Sequence, residues 1–349
     1  MKRNMGKRVG DILYTLFLRS NFKSGNKVLI TSTDGIGDFI VREKIFTKLV
    51  EEYGKENIVV LAKEKLCPLL KKMGIENIII YTDKKRKKFA GRVELFKELN
   101  EVGIKKIISL EFDQHDSFIK HFPQVEKIGF NNVCHSEMDK YYDTLIPYTS
   151  GSIINDVLSF YKNYFKEEIT FEQGRPYIGN LFEIDERYRD CIAVGIGSMD
   201  RRKMLAPKIF AEVIKTLRER YPEKKMVLLG KGKLEERFMQ ELQEQIDLTG
   251  IEDLVNKVSL DKTMEVIKSS EIYIGLDSGL YNFSFALGKK MVGIFTEINR
   301  FSHMGFDGIE VITSQEEGEE NYFGNPKING VAPEQILERV GEILWRDEI

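Results

Sequence analysis

Short apolar runs recur along the chain, separated by longer segments whose apolar positions fall at helical spacing. The runs KVLIT (27–31), NIVVLA (57–62), NIIIY (77–81) and KIISL (106–110) read as buried strands, with another at 126–130. Between them, 37–53, 64–73 and 89–102 read as helices, and a further helix is expected over 152–166. Apolar runs alternating with helices in this way describe a parallel α/β sheet. Residues 167–190 are polar and irregular, with Gly174, Pro176 and Gly179, and read as an interdomain linker. The pattern then restarts, with strands expected at 191–196, 225–229, 255–258, 271–276, 290–295 and 309–313. Helices are expected at 207–220, 233–246, 261–269, 279–287 and 333–345. The expected fold is α/β, two Rossmann-like domains facing a cleft. A helix over 1–24 precedes domains at 25–170 and 171–332, and a C-terminal segment over 333–349 is expected to pack back on the first domain. Ligands of such sheets bind beyond the carboxyl ends of the strands.

Composition narrows this little. Of 349 residues 42% are hydrophobic and 31% charged, and 53 basic against 55 acidic side chains leave a formal charge of −2. That balance speaks against a nucleic-acid partner. Cys67, Cys134 and Cys191 are far apart and odd in number, which fits neither a disulfide framework nor a zinc site and points to a reducing cytoplasm. The four histidines show no metal-ligand spacing, and no metal or cofactor is expected. No run is long enough to span a membrane and none reads as a signal peptide. The first 24 residues carry Lys2, Arg3, Lys7, Arg8, Arg19 and Lys23 against Asp11 alone, with Val9, Ile12, Leu13, Leu16 and Phe17 at helical spacing. Such a helix either lies peripherally on an anionic membrane or packs on its own domain.

The candidate chemistry sits at strand ends. Asp277-Ser278-Gly279 ends one strand and opens a helix, a terminus with orphan N–H groups and partial positive charge that suits a phosphate. Asp277 or Ser278 can cap that helix and Gly279 admits a ligand close to the backbone. The first strand ends in TSTDGIGDFI, placing Asp34 and Asp38 at the sheet edge, where a carboxylate can take a proton from a hydroxyl. This turn lacks the third glycine of the dinucleotide fingerprint. The segment GIGSMDRRKMLAP gathers Ser198, Arg201, Arg202 and Lys203, cations suited to a diphosphate. In GKGKLEE, Glu235 or Glu236 is a candidate for ribose hydroxyls. The run Lys84, Lys85, Arg86, Lys87, Lys88 is either a solvated loop or a contact for an anionic acceptor or lipid head groups.

Together these residues resemble glycosyltransferase family 9, the bacterial ADP-heptose lipopolysaccharide heptosyltransferases, over roughly 26–345. Gly37-Asp38 matches the family's GD turn and Lys203 its phosphate-contacting lysine, with Leu205 and Ala206 in place of Trp-Pro. Ser259-Leu260 and Asp277-Ser278-Gly279 follow at the family's interval. Ala286-Leu287-Gly288 comes next, then Lys290 in place of Pro, then Ile294-Phe295. Departures are Asn282 for a histidine, Thr296 and Asn256 for glycines, and Ser109-Leu110-Glu111, with Asp116 near by, for the acceptor-side DLQ element and its arginine.

The resemblance implies a GT-B fold, with 25–170 on the acceptor side and 171–332 binding the nucleotide sugar. It implies inverting, metal-independent heptosyl transfer from ADP-heptose to a lipopolysaccharide or lipooligosaccharide core. Asp38 would be the base. Ser198, Arg201, Lys203, Asp277, Ser278 and Gly279 would line the diphosphate and Glu235 the ribose. Asp34 and Lys84, Lys85, Arg86, Lys87 and Lys88 would lie towards the glycolipid or oligosaccharide acceptor. The expected place of work is the cytoplasm, with peripheral contact at the inner face of the inner membrane. A sugar-nucleotide-binding protein without transferase activity, a protein-directed heptosyltransferase and an enzyme using another nucleotide sugar stay open. A dehydrogenase is a distant alternative.

Overall fold

The computed structural model describes residues 22–111, 117–131, 136–314, 316–318 and 326–345, with positions 9, 12, 13, 15 and 16. It divides into two compact units, residues 1–149 with 154–174, and residues 150–153 with 175–349.

The first unit holds a parallel sheet of β1 (Lys27–Ser32), β2 (Ile58–Ala62), β3 (Ile78–Ile80), β4 (Ile104–Ser109), β5 (Glu126–Phe130) and β6 (Thr144–Ile146). Their order is β3-β2-β1-β4-β5-β6. The runs read as strands are continuously apolar because β1 and β2 lie inside the sheet, buried on both faces. The helices are α1 (Ile36–Ile40), α2 (Glu43–Tyr53), α3 (Cys67–Lys72), α4 (Asp83–Lys87), α5 (Phe89–Val102) and α6 (Ile154–Phe160). Leu95, Phe96 and Leu99 of α5 pack with Phe118 and Phe122 over one face of the sheet.

The strand order reverses between β1 and β4. Connections from these two strands leave in opposite directions, and their carboxyl ends frame the crevice where such sheets place ligands. Two expectations change here. The single helix over 37–53 is broken at Val41 and Arg42, where Arg42 turns its buried guanidinium back to Asp34. The Lys84–Lys88 run is a helical turn, α4, capped by the Thr82 hydroxyl.

The second unit repeats the arrangement with β7 (Ile192–Gly195), β8 (Met226–Leu229), β9 (Ile251–Asp253), β10 (Ile272–Leu276), β11 (Lys290–Ile294) and β12 (Ile309–Ile312), in the order β12-β11-β10-β7-β8-β9. Its reversal lies between β7 and β10. The helices are α7 (Pro207–Arg220), α8 (Lys233–Gln245), α9 (Leu260–Ser269), α10 (Gly279–Ala286) and α11 (Pro333–Trp345). A row of glycines, Gly195, Gly275 and Gly293, crosses three neighbouring strands in register. The Tyr273 ring lies over Gly195 and Gly275, and the rings of Tyr281 and Phe295 over Gly293, so a methyl group at any of the three would collide with them.

Three further expectations are corrected. The C-terminal helix, expected to pack on the first domain, is part of the second unit. α11 buries Ile336, Leu337, Val340, Ile343 and Leu344 in the second unit's core, against α7, β11 and β12. The strand expected at 255–258 lies instead at 251–253, and Asn256 adopts the left-handed conformation (φ 59°) that ends extended structure. The segment 167–190 is not a free linker beyond its first part. From Arg175 it docks on the second unit, where Ile178, Phe182 and Tyr188 are buried and the Ile178 N–H donates to the Ala286 carbonyl at 2.9 Å.

Candidate functional site

At the β1/β4 reversal the first domain gathers three carboxylates. Glu111, just past β4, is buried and accepts from the Thr33 N–H, from the Thr31 hydroxyl at 3.2 Å and from the Ser109 hydroxyl at 3.4 Å. It ties the loop after β1 to the end of β4. Burial, and then the charge of Asp34, push its carboxyl above the ordinary range, against the pull of those hydrogen bonds. Asp34 accepts from Arg42 Nη1 at 2.6 Å. That ion pair engages the residue expected on the acceptor side.

Asp38 is the third residue of α1, and its Oδ2 accepts from the Gly35 N–H at 2.8 Å. A Cβ at position 35 would overlap that oxygen, so the glycine makes the room. Oδ1 accepts no hydrogen bond among the described residues. Burial raises the Asp38 pKa first and the Asp34 charge second, while Arg42, the Gly35 N–H and Lys63 oppose. A carboxylate moved towards neutrality and held by one N–H can take a proton from a hydroxyl.

The cationic run does not join this cluster. β3, which precedes it, is the edge strand, two strands away from the β1/β4 reversal. Lys84 pairs with Glu94 at 2.8 Å, buried Lys85 with Glu98 at 2.5 Å, and Arg86 and Lys87 with Asp83 at 3.3 and 2.8 Å. Lys84, Lys85, Arg86 and Lys87 are thus paired with neighbouring acids, with Lys85 alone of these four buried. Lys88 is exposed at the start of α5.

At the β7/β10 reversal the second domain gathers the other chemistry. Ser278 caps α10, its Oγ accepting the Tyr281 N–H at 3.5 Å. That leaves the N–H groups of Gly279 and Leu280 without partners inside the helix. Lys203 Nζ reaches Asp277 Oδ2 at 2.7 Å, and the same oxygen accepts from Asn299 Nδ2 at 3.0 Å. Ser198, expected on the diphosphate, instead donates its hydroxyl to the Asp277 carbonyl at 3.0 Å and is buried, so it ties two loops together. Asp277, also expected there, carries negative charge; its carboxylate suits Lys203 and ligand hydroxyls better than phosphate oxygens. Arg202 forks onto Asp200 at 3.0 and 2.7 Å, which holds that carboxyl down at about 2. Arg201 lies in the exposed turn beside it.

Glu235, third residue of α8, is buried with its carboxylate over Gly197, where a Cβ would overlap it. Burial raises its pKa. Asn256, standing where a glycine is usual, keeps the left-handed backbone and adds a clamp. It accepts from the Gly232 N–H at 2.8 Å and donates to the Gly232 carbonyl at 2.9 Å. Asn282, standing for a histidine, accepts through Oδ1 from His303 Nε2 at 2.8 Å. Burial first, then the charge of Arg175, pull that imidazole down to about 3, so it is neutral.

Sequence reasoning missed Arg42 and Asn299 and took Glu111 only as a departure from the DLQ element. Asp116 lies outside the described residues. No group of three or more potential metal ligands occurs among the described residues.

Residues 180–327 match the profile of glycosyltransferase family 9 (heptosyltransferase). Among curated proteins, lipopolysaccharide heptosyltransferase 1 of Campylobacter coli is 22% identical, the alignment covering 92% of this chain and all of that protein. Among solved structures, E. coli ADP-heptose lps heptosyltransferase II superposes with a TM-score of 0.67 at 17% identity, over 93% of this chain and all of that one. E. coli heptosyltransferase WaaC with ADP gives 0.71 at 13% identity, over 91% and 99%. At these identities the superpositions speak for the GT-B fold. The profile match and the order of motifs make residues 180–327 similar to glycosyltransferase family 9 (heptosyltransferase).

Proposed function

We propose that the chain is an inverting glycosyltransferase that moves a heptose from ADP-heptose to a hydroxyl of a lipopolysaccharide or lipooligosaccharide core. The observation that carries this reading is the division of chemistry between two like sheets, acids at one reversal and an anion-holding terminus with Lys203 at the other. The acceptor oxygen attacks the anomeric carbon as Asp38 Oδ1 takes its proton. The bond from that carbon to the diphosphate breaks, and the nucleoside diphosphate leaves with the electron pair. Lys203 and the N–H groups of Gly279 and Leu280 stabilise the charge that develops on it. Asp277, paired with Lys203 and hydrogen-bonded by Asn299 at Oδ2, keeps Oδ1 for a donor hydroxyl, and Glu235 is assigned to the ribose. No step in this scheme draws on a metal, and transfer is expected to survive chelation with EDTA.

Calorimetry on the purified chain with ADP, UDP, GDP and ADP-heptose tests the reading. ADP and ADP-heptose should bind, and transfer to a heptose-deficient core oligosaccharide should follow. Binding without transfer to any core acceptor would favour a sugar-nucleotide-binding protein, and no binding would end the proposal.

The acceptor reading extends to an anionic glycolipid surface. Val9, Ile12, Leu13 and Leu16 lie on one helical face and are 47–60% exposed, while Thr15, off that face, meets His121. About half of each of these four apolar side chains is therefore open to a surface outside the fold. The flanking cations of residues 1–24 complement an anionic surface, each contributing about 1 kcal/mol when close to it. Among the described residues no helix is long and apolar enough to cross a membrane. Vesicles containing anionic lipid should pellet the wild type at low salt and release it at high salt. The double substitution Ile12→Ser with Leu16→Ser should pellet less; equal pelleting would remove the stripe from this role.

A further inference from the structure

The segment Asn299 to His303, which follows β11, is fastened to the start of α10 at three points. Asn299 Nδ2 donates to Asp277 Oδ2 at 3.0 Å, the Tyr281 hydroxyl donates to the Ser302 carbonyl at 2.6 Å, and His303 Nε2 meets Asn282 Oδ1 at 2.8 Å. Asn299 is the one of the three that touches a candidate ligand-binding side chain.

Every polar group of Asp277 but one is engaged. Its N–H donates to the Ile294 carbonyl at 3.2 Å, its carbonyl accepts from Ser198, and its Oδ2 accepts from both Lys203 and Asn299. Only Oδ1 accepts nothing among the described residues. Lys203 alone would hold the carboxylate loosely, because an ammonium on a flexible stem has no preferred direction. A planar amide fixed at its other end does have one. Asn299 is so fixed, since its Oδ1 accepts the Phe301 N–H at 2.8 Å.

We propose that Asn299 is a positioning residue: it sets the Asp277 carboxylate so that Oδ2 is saturated and Oδ1 faces the hydroxyls of the bound sugar nucleotide. The inference rests on the donor site proposed above and assigns that site's geometry to a residue outside the DSG element.

Two substitutions separate positioning from turn formation. Asn299→Asp keeps the side-chain oxygen that accepts from Phe301, so the turn survives. It removes the donor to Asp277 and sets a second carboxylate against it. Asn299→Ala loses both contacts and adds no charge. Calorimetry with ADP-heptose, alongside melting curves, should show affinity about tenfold or more weaker in Asn299→Asp, the scale of losing a hydrogen bond to a charged group, with a near-normal melting temperature. Asn299→Ala should weaken binding less. In steady state, KM for ADP-heptose should rise by a larger factor than kcat falls. Wild-type affinity in Asn299→Asp would overturn the inference and leave Asn299 a turn residue. Lys203→Ala, measured with ADP, tells the two failures apart. If it loses ADP binding while Asn299→Asp is unchanged, the inference alone falls; if neither variant changes binding, the donor site falls with it.

Discussion

The two domains repeat one strand order and place opposite chemistry where that order reverses. At β1/β4 three carboxylates crowd together, and one of them, Asp38, is lifted towards neutrality by burial and by Asp34. At β7/β10 the one carboxylate facing the helix start, Asp277, is answered by Lys203 and Asn299. The topology supplies the location and the loop residues decide what it does there. Both loops use one device, a glycine whose missing Cβ lets a carboxylate lie on the backbone: Gly35 under Asp38 and Gly197 under Glu235. Under the proposed function that carboxylate takes a proton in the first domain and meets ribose hydroxyls in the second.

The comparison breaks most visibly at Asp38. Asp38→Asn can still accept from the Gly35 N–H, so ADP-heptose binding should hold while turnover falls by about 10²-fold or more, the scale of general-base catalysis. Because the folded Asp38 keeps its proton to higher pH than an ordinary aspartate, the acid limb of kcat/KM in the wild type should lie above the usual carboxylate range. Wild-type transfer by the variant would take the base role from the acidic reversal.

Lys203→Ala should act on the other side of the comparison. It should weaken ADP binding by roughly 1.5–3 kcal/mol and leave the Asp277 charge without its cation. Isothermal titration reads this directly. Unchanged affinity would remove Lys203 from the site.

The smallest effect belongs to Glu111. A carboxyl whose pKa is higher folded than unfolded binds more protons in the native state. Stability therefore falls as pH rises from the ordinary carboxylate range through the raised value. Glu111→Gln cannot titrate, so its melting temperature should drop less than the wild type's between about pH 4 and pH 7. Parallel curves would show that folding leaves the Glu111 pKa where it lies in the unfolded chain.

What the sequence disclosed was local. KVLIT, NIVVLA and KMVGIF announced inner strands because both faces of such strands are buried, and Gly37-Asp38 and Asp277-Ser278-Gly279 announced strand-to-helix turns because cap and glycine lie within a few residues. Contacts made by folding were hidden. Glu111 acquires its partners only when β4 pairs with β1, and Asn299 reaches Asp277 only when the chain after β11 passes α10. The ion pairs of the Lys84–Lys88 run were hidden for the same reason. Asp83 was adjacent, but Glu94 and Glu98 answer Lys84 and Lys85 from the next helix, one to three turns along. The C-terminal helix showed its apolar stripe without saying which domain it would cover.

The glycine row beneath Tyr273 and Tyr281 bears on how this domain can diverge. Gly195, Gly275 and Gly293 are not independent letters of the sequence, because three large rings, Tyr273, Tyr281 and Phe295, occupy the volume their side chains would fill. A chain drifting one substitution at a time meets a clash at each of these positions unless the ring above has already shrunk. Tyr273 with Gly195 and Gly275, and Tyr281 and Phe295 with Gly293, should therefore change in concert across relatives, a covariation signal in the middle of the sheet.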